Sequence, residues 1–434
     1  MTTVAWPPEV RAAASPETYG RVAGCTGSAI EVEGLPAAVG DAVTVLRSGA
    51  QLVCEVVALR RELVVCLPVG DGTGVRSGDW VGHLGGPLRV PVGPGLLGRV
   101  VDGLGRPLPG SPPLGRDTVE VPLGADPPDA LGRPLVSERL ALGVRVVDGL
   151  VPVGRGQRLG ILAGSGVGKS SLLSMVTRYT DADVVVLALI GERGREVGEF
   201  LERDLGADGR RRAVTVVSTS DQPALVRLRA AFLATRVAES FRDDGAHVLL
   251  LMDSLTRFAM AQREVGLAAG EPPVTRGYPP SVFGLLPRLL ERAGTSANGS
   301  ITGLYTVLVD GDDMNEPVTD AVRSILDGHV VLSRRLAESG HFPAVDVCAS
   351  LSRVAGAVSS PEERAAATRV RALLAALGEA RDLLEVGAYV AGSDPVLDEA
   401  LRRAPAIEAF CRQEMHERSS LVDTLQALEG LVAG

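Results

Sequence analysis

The stretch ILAGSGVGKSS, residues 161–171, decides how the rest of the chain is read. An apolar, strand-like run leads into Gly164, Ser165, Gly166, Val167 and Gly168, after which Lys169, Ser170 and Ser171 open an apolar helical segment, SLLSMVTRY. Glycines let the backbone curl so that successive N–H groups point at phosphate oxygens, and the helix N-terminus adds partial positive charge. At this spacing Lys169 reaches the β- and γ-phosphates of a nucleotide, and the Ser170 hydroxyl takes a place on Mg²⁺. The strict G-x-x-x-x-G-K-[ST] pattern has glycine where this chain has Ala163, a small change that leaves the later glycines to make the close approach. The reading is a phosphate-binding loop for ATP and Mg²⁺.

Around this loop, apolar runs alternate with helical patterns from about residue 158 to 347: QRLGIL, DVVVLALI, RAVTVVST, HVLLLMD, SITGLYTVLV and HVVLS. Strands buried on both faces read this way in a parallel sheet flanked by helices. Residues 20–90 carry shorter apolar runs at the spacing of a small barrel or sandwich. Residues 91–135 are rich in Gly and Pro and favour turns and extended connections. Beyond residue 355 the chain is Ala/Leu/Arg-rich with helical periodicity. The expected fold class is α/β, divided into a tail (1–18), an N-terminal β-barrel domain (19–90), an ATPase domain (91–354) and a C-terminal helical domain (355–434).

Two carboxylates complete the expected site. In HVLLLMDSLTRF, Asp253 ends an apolar run. Alone it reads as a helix cap; with the glycine loop upstream it becomes a Mg²⁺ holder, partly through water, at the carboxyl edge of the sheet. In LIGERGREVGEF, Glu192 lies two residues beyond LALI, on that same edge if the two strands are near neighbours. A carboxylate there can orient an attacking water and accept its proton. Arg193 can secure that carboxylate or contact phosphate, whereas Arg195 and Glu196 suit a helix entry or a subunit contact. Arg353, in HFPAVDVCASLSRV, is by sequence a loop arginine like many others. In DGDDMNEP, residues 310–317, four acids form a turn ahead of a helical segment, PVTDAVRSILDG, with Gly328 as its C-cap.

Bulk properties narrow the function classes. Formal net charge is −9, from 53 acidic and 44 basic residues, which gives no broad attraction for nucleic acid or anionic lipid. An RNA translocase would want basic and aromatic residues on its barrel, and residues 20–90 with Tyr19 offer only Tyr19 and Trp80 as aromatics. Five cysteines without a C-x-x-C pair suit a reducing cytosol better than a disulfide framework. No signal-peptide pattern opens the chain and no run approaches the ~18 apolar residues of a membrane span.

Taken together, GRGQRLGILAGSGVGKSSLL, LIGERGREV, LLLMDSLTRFAMAQREV, GYPPSVFGLLPRLLERAG, GDDMNEPVTDAVRSILDGHVVLSRRLAESGHFPAVDV and SLSRV closely resemble the flagellar export ATPases. Each motif is shared in part with catalytic subunits of rotary ATP synthases and with injectisome ATPases. The resemblance implies a RecA-like P-loop ATPase core between a β-barrel and a helical domain, working as a homohexamer with ATP at subunit interfaces. It implies Lys169 and Ser170 on phosphate and Mg²⁺, Glu192 as the catalytic carboxylate and Arg353 as an arginine finger supplied in trans. Phe342 matches a position where the family usually has tyrosine against the adenine; the ring keeps its stacking face. The implied partners are a stator-like regulator at the N-terminus, where this chain is short and offers Trp6-Pro7-Pro8, chaperone–cargo complexes and a membrane export gate. The implied location is cytoplasmic, peripheral at the inner membrane, and the acidic turn around Asp312 and Asp313 is implied to face a central pore. The alternatives are an injectisome secretion ATPase and a rotary synthase catalytic subunit that works only beside a partner chain.

Overall fold

The computed structural model describes residues 18–433 other than residues 48, 310–312, 314 and 315. Trp6, Pro7, Pro8 and Asp312 lie outside the described residues. Six strands, β1 (Tyr19–Thr26), β2 (Ala29–Glu33), β3 (Asp41–Arg47), β4 (Ala50–Arg60), β5 (Leu63–Pro68) and β6 (Trp80–Pro87), close into a barrel in the order β1-β2-β5-β4-β3-β6. Alternation along each strand sends Val22, Val32, Val43, Val45, Cys54 and Val56 inward to the barrel's own core. The opposite face of β5 is also apolar. Val65 and Leu67, with Ala29 and Val69, join the core of the neighbouring domain.

Here the barrel is also held by an ion pair. Glu55 of β4 is buried and accepts from Arg229, with Nε 2.7 Å from Oε2. Removing one partner strands the other charge in a mostly buried contact, at a cost of up to about 3–5 kcal/mol. Glu55→Ala is therefore expected to lower stability by up to that amount in denaturant titration; a midpoint unchanged from the wild type would show that the contact contributes nothing.

Next, β7 (Arg89–Val92) pairs with β9 (Val119–Pro122), while β8 (Val100–Asp102) leaves them to join the central sheet. The Gly/Pro-rich region thus supplies an edge strand as well as the expected turns: on one edge of β8 the Leu108 N–H donates to the Val100 carbonyl and the Val100 N–H to the Ser111 hydroxyl, and the other edge pairs with β14. A small ladder of β10 (Arg139–Leu140) and β11 (Val153–Gly154) leads into β12 (Arg158–Ala163). There follow β13 (Val184–Ile190), β14 (Ala213–Ser218), β15 (His247–Asp253), β16 (Gly294–Thr295), β17 (Ser300–Leu308), β18 (Gly328–Leu332) and β19 (Val345–Ser352). The sheet order is β19-β18-β12-β17-β15-β13-β14-β8, parallel except for β19, with β16 added antiparallel on β17.

Every residue of β13 is buried, and successive residues serve opposite faces. Val186, Ala188 and Ile190 pack with the helix Ala224–Asp243, whereas Val185, Leu187 and Leu189 pack with Leu172, Met175 and Val176 of the helix Lys169–Tyr179. The helices Pro361–Glu379, Pro395–Cys411 and Leu421–Val432 have no separate core. Val370, Leu373, Phe410 and Leu428 share the second cluster with Leu150 and Leu172. Among the described residues no helix is long and apolar enough to cross a membrane, and the five cysteines are free.

One local expectation is corrected. Gly328 does not cap a helix: that helix runs Pro317–Ile325 with Leu326 at its C-cap, and Gly328 starts β18. Glycine is required there because φ is +142° and a Cβ would lie 2.2 Å from the Leu351 carbonyl oxygen. Arg353 stands in a turn, as a loop arginine would, and the segment before it is regular. That segment is edge strand β19, whose buried Ser350 and Ser352 face inward while Leu351 faces out.

Candidate active site

At the end of β12, Ala163 pairs with Leu308 on one side and Leu332 on the other, in extended backbone that any small residue tolerates. The glycine missing from the strict motif is thus unnecessary here. Left-handed backbone is confined to Gly166 (φ +77°) and Gly168 (φ +90°). Gly168 starts the helix Lys169–Tyr179, so the helix dipole points into the loop. Val167 is buried and anchors the loop, while Ser165 and Ser170 are exposed.

Lys169 converges with both expected carboxylates. Its Nζ lies 2.6 Å from Asp253 Oδ1 and 3.7 Å from Glu192 Oε1, and the Thr306 hydroxyl donates to the same Asp253 oxygen at 2.6 Å. The strands are not neighbours: β17 and β15 lie between β12 and β13. Lys169 spans that gap, and Leu189 pairs with Asp253 so that β13 and β15 end level. Thr306 carried no sequence signal, since it lies within the apolar run of β17.

Burial, and then the neighbouring Asp253 carboxylate, raise the pKa of Glu192 above its ordinary value, against the opposing pull of Lys169. A raised pKa keeps the proton on Glu192 to higher pH, so the basic form is lost earlier on acidification. The acid limb of kcat/KM is expected at a midpoint above the ordinary ~4.3 of a glutamate. A profile extended below pH 5 checks this; a midpoint at or below the ordinary glutamate value would contradict it, and Glu192→Gln should abolish the limb.

The remaining charges of GERGREVGE separate. Arg193 is exposed and pairs with Glu196 at 3.3 Å, and Arg195 pairs with Glu199 at 2.8 Å. Arg193 therefore does not hold Glu192 within one chain. The nearer guanidinium is that of Arg257, which lowers the Glu192 pKa and whose buried Nε has no hydrogen-bond partner. Nothing in the sequence set this helix arginine apart, because its proximity comes from the register of β15 and β13.

On the other side of the loop, the half-exposed Phe342 ring stands over Gly168, 3.2 Å from where a Cβ would sit. It lines a groove of about 420 Å³ with Ser171, Leu172, Met175, Pro343 and Met415. The segment 412–417 was missed in the sequence; the backbone N–H of Gln413 donates to the Phe342 carbonyl at 3.0 Å and brings it there. A flat apolar face beside a phosphate loop suits a nucleotide base. Among the described residues no group of three or more His, Cys, Asp or Glu could hold a metal. The exposed Ser170 hydroxyl and the Asp253 carboxylate are the oxygens that would suit Mg²⁺, which is bound by one or two protein oxygens together with phosphates and water.

Arg353 lies elsewhere. Ser352 pairs with Gly328 at the start of β18, and the Arg353 N–H donates to the Asp327 carbonyl, level with Arg158 at the start of β12. The phosphate loop leaves the other end of β12, roughly 16 Å of strand away, so exposed Arg353 cannot reach its own chain's site.

This combination defines a P-loop ATPase built on a RecA-like sheet. Residues 143–352 match the ATP synthase alpha/beta family, nucleotide-binding domain, and residues 359–430 match the T3SS EscN ATPase C-terminal domain. The chain is 49% identical to the flagellum-specific ATP synthase of Bacillus subtilis over 95% of each chain. It is also 49% identical to the type 3 secretion system ATPase of Xanthomonas euvesicatoria, over 94% of this chain and 93% of that one. The assembled ATPase EscN of enteropathogenic E. coli superposes with a TM-score of 0.90 at 46% identity, covering 95% of this chain and all of that one. A second EscN structure, in complex with its central stalk EscO, superposes with a TM-score of 0.89 at 45% identity, over 95% of this chain and all of that one. The chain belongs to the family of flagellum-specific ATP synthases and type 3 secretion system ATPases.

Proposed function

We propose that the chain powers flagellar protein export, hydrolysing ATP at the interfaces of a homohexamer to release cargo from chaperones and pass it to a membrane gate. The observation that carries this reading is the separation, within one chain, of Lys169 and Glu192 from Arg353. A site complete only when a second copy brings its arginine explains why the ATPase would assemble, as EscN does.

In the proposed site the loop from Gly164 to Gly168, with Lys169, Ser170 and Ser171, cradles the phosphates, and Phe342 stacks on the base. Ser170 and Asp253 would hold Mg²⁺, which would neutralise charge on the phosphates. Lys169 turns toward the phosphates, releasing the two carboxylates. Glu192 orients water in line with the γ-phosphorus and accepts its proton, and Arg257 adds positive charge beside it. Arg353 of the adjacent copy offsets charge on the transferring group. Exposed Arg193 is available for a phosphate or subunit contact.

A central stalk through the ring, by likeness to EscN with EscO, and a stator-like regulator on the N-terminal tail complete the proposed assembly. It would work in the cytoplasm, attached peripherally at the inner membrane. Specific ATPase activity should rise with protein concentration as the ring forms; full activity in dilute monomer would refute the shared site. An injectisome role has equal support in identity to the Xanthomonas relative. Cells carrying Glu192→Gln should lack flagellar filaments, whereas normal filaments with lost effector secretion would transfer the proposal to an injectisome.

A further inference from the structure

The base of Arg353 is held by an unusually complete polar clamp. Gln157, fully buried at the mouth of β12, accepts from the Gly154 N–H at 3.0 Å through Oε1. Its Nε2 spends both protons, on the Asp327 carbonyl at 3.0 Å and the Ser352 hydroxyl oxygen at 3.1 Å. Ser352 in turn donates to the Pro152 carbonyl at 2.7 Å. The Asp327 carbonyl that receives Gln157 also receives the Arg353 N–H at 3.0 Å. The Asp327 carboxylate is fixed separately by the Arg158 N–H at 3.0 Å and the Arg158 Nε at 3.1 Å.

A buried amide with all three groups satisfied defines one geometry, because any shift leaves a donor or acceptor unpaired. β19 needs such a device: it is an edge strand whose register shifts between His329 and Val331, so the ladder alone does not specify where its last residue ends. We propose that Gln157 and Ser352 are positioning residues for Arg353, setting the angle at which it enters the neighbouring subunit's site. The inference rests on the trans-arginine reading above. Because β12 begins at this clamp and ends in the phosphate loop, one strand connects the arginine given to a neighbour with the phosphates bound at home.

The test is a double-mutant cycle on kcat, measured at a concentration where the oligomer is assembled. Ser352→Ala and Gln157→Leu are each expected to lower kcat by about ten- to a hundred-fold, the scale of a misplaced catalytic group. Binding of a fluorescent ATP analogue to the dilute chain should be unchanged, and Ser352→Thr should restore much of the rate. In an Arg353→Ala background, Ser352→Ala should cost nothing further, because both act through the same group. An equal loss in both backgrounds, or no loss in either, would overturn the inference. An Arg353→Ala variant with wild-type kcat would instead overturn the trans-arginine reading, so the two failures are distinguishable. Should Gln157→Leu fail to fold, Ser352→Ala carries the cycle alone.

Discussion

Replacing Arg353 with alanine is expected to lower kcat by about 10³–10⁵ while the chain still binds ATP and still assembles. The argument is geometric. Arg353 sits beside Asp327 at the start of β18, and the phosphate loop opens from the far end of β12. Its removal therefore leaves the home site untouched, with Lys169, Asp253 and Glu192 in place. What is lost is a cation that meets negative charge developing on the phosphoryl group, an interaction stronger in the transition state than in the ground state. The loss should accordingly fall on kcat, with the Kd for ATP nearly unchanged. Turnover measured across protein concentrations, beside titration with a fluorescent nucleotide, checks both halves. Normal turnover would remove the shared site, and a large loss of affinity would assign Arg353 to ground-state binding.

Glu192→Gln is the second large effect, with a fall in kcat of about 10²–10⁴, the usual contribution of a positioned general base. The amide keeps the size of the side chain and loses the charge and the basic oxygen. It also removes a negative group 3.7 Å from Lys169 Nζ and close enough to Asp253 to be felt electrostatically. Affinity for ATP should therefore hold or improve, since one carboxylate fewer repels the phosphates. Lys169→Ala supplies the contrast, because it should lose binding as well as turnover. Single-turnover hydrolysis with bound nucleotide separates the two variants. A Glu192→Gln chain that hydrolyses at the wild-type rate would transfer the base role to another group.

Much of this site was legible because its chemistry is local in sequence. A glycine loop must follow a strand and precede a helix, so residues 161–179 declare themselves without knowledge of the fold. Asp253 and Glu192, at and just past the ends of apolar strand-like runs, became legible only with the glycine loop upstream to give them a ligand. Arg257 and Thr306 were not, since a helix arginine and a strand threonine carry no signal until the register of β13, β15 and β17 brings them beside Lys169. The same holds for residues 412–417, which follow the last turn of a helix and meet Phe342 only because the C-terminal helices pack into the core of the nucleotide-binding sheet.

The sequence by itself determined the alternation of strands and helices, the phosphate loop and the two carboxylates beyond strand ends, because hydrophobic period and backbone conformation are properties of neighbouring residues. Tertiary structure alone decided that Lys169 bridges strands with two others between them and that the barrel rests on Glu55 and Arg229. It also decided that the polar run SLS is an edge strand with its serines inward. There, hydroxyls bonded to distant backbone replace the apolar face that would have revealed a strand, and such partners become neighbours only when the chain has folded.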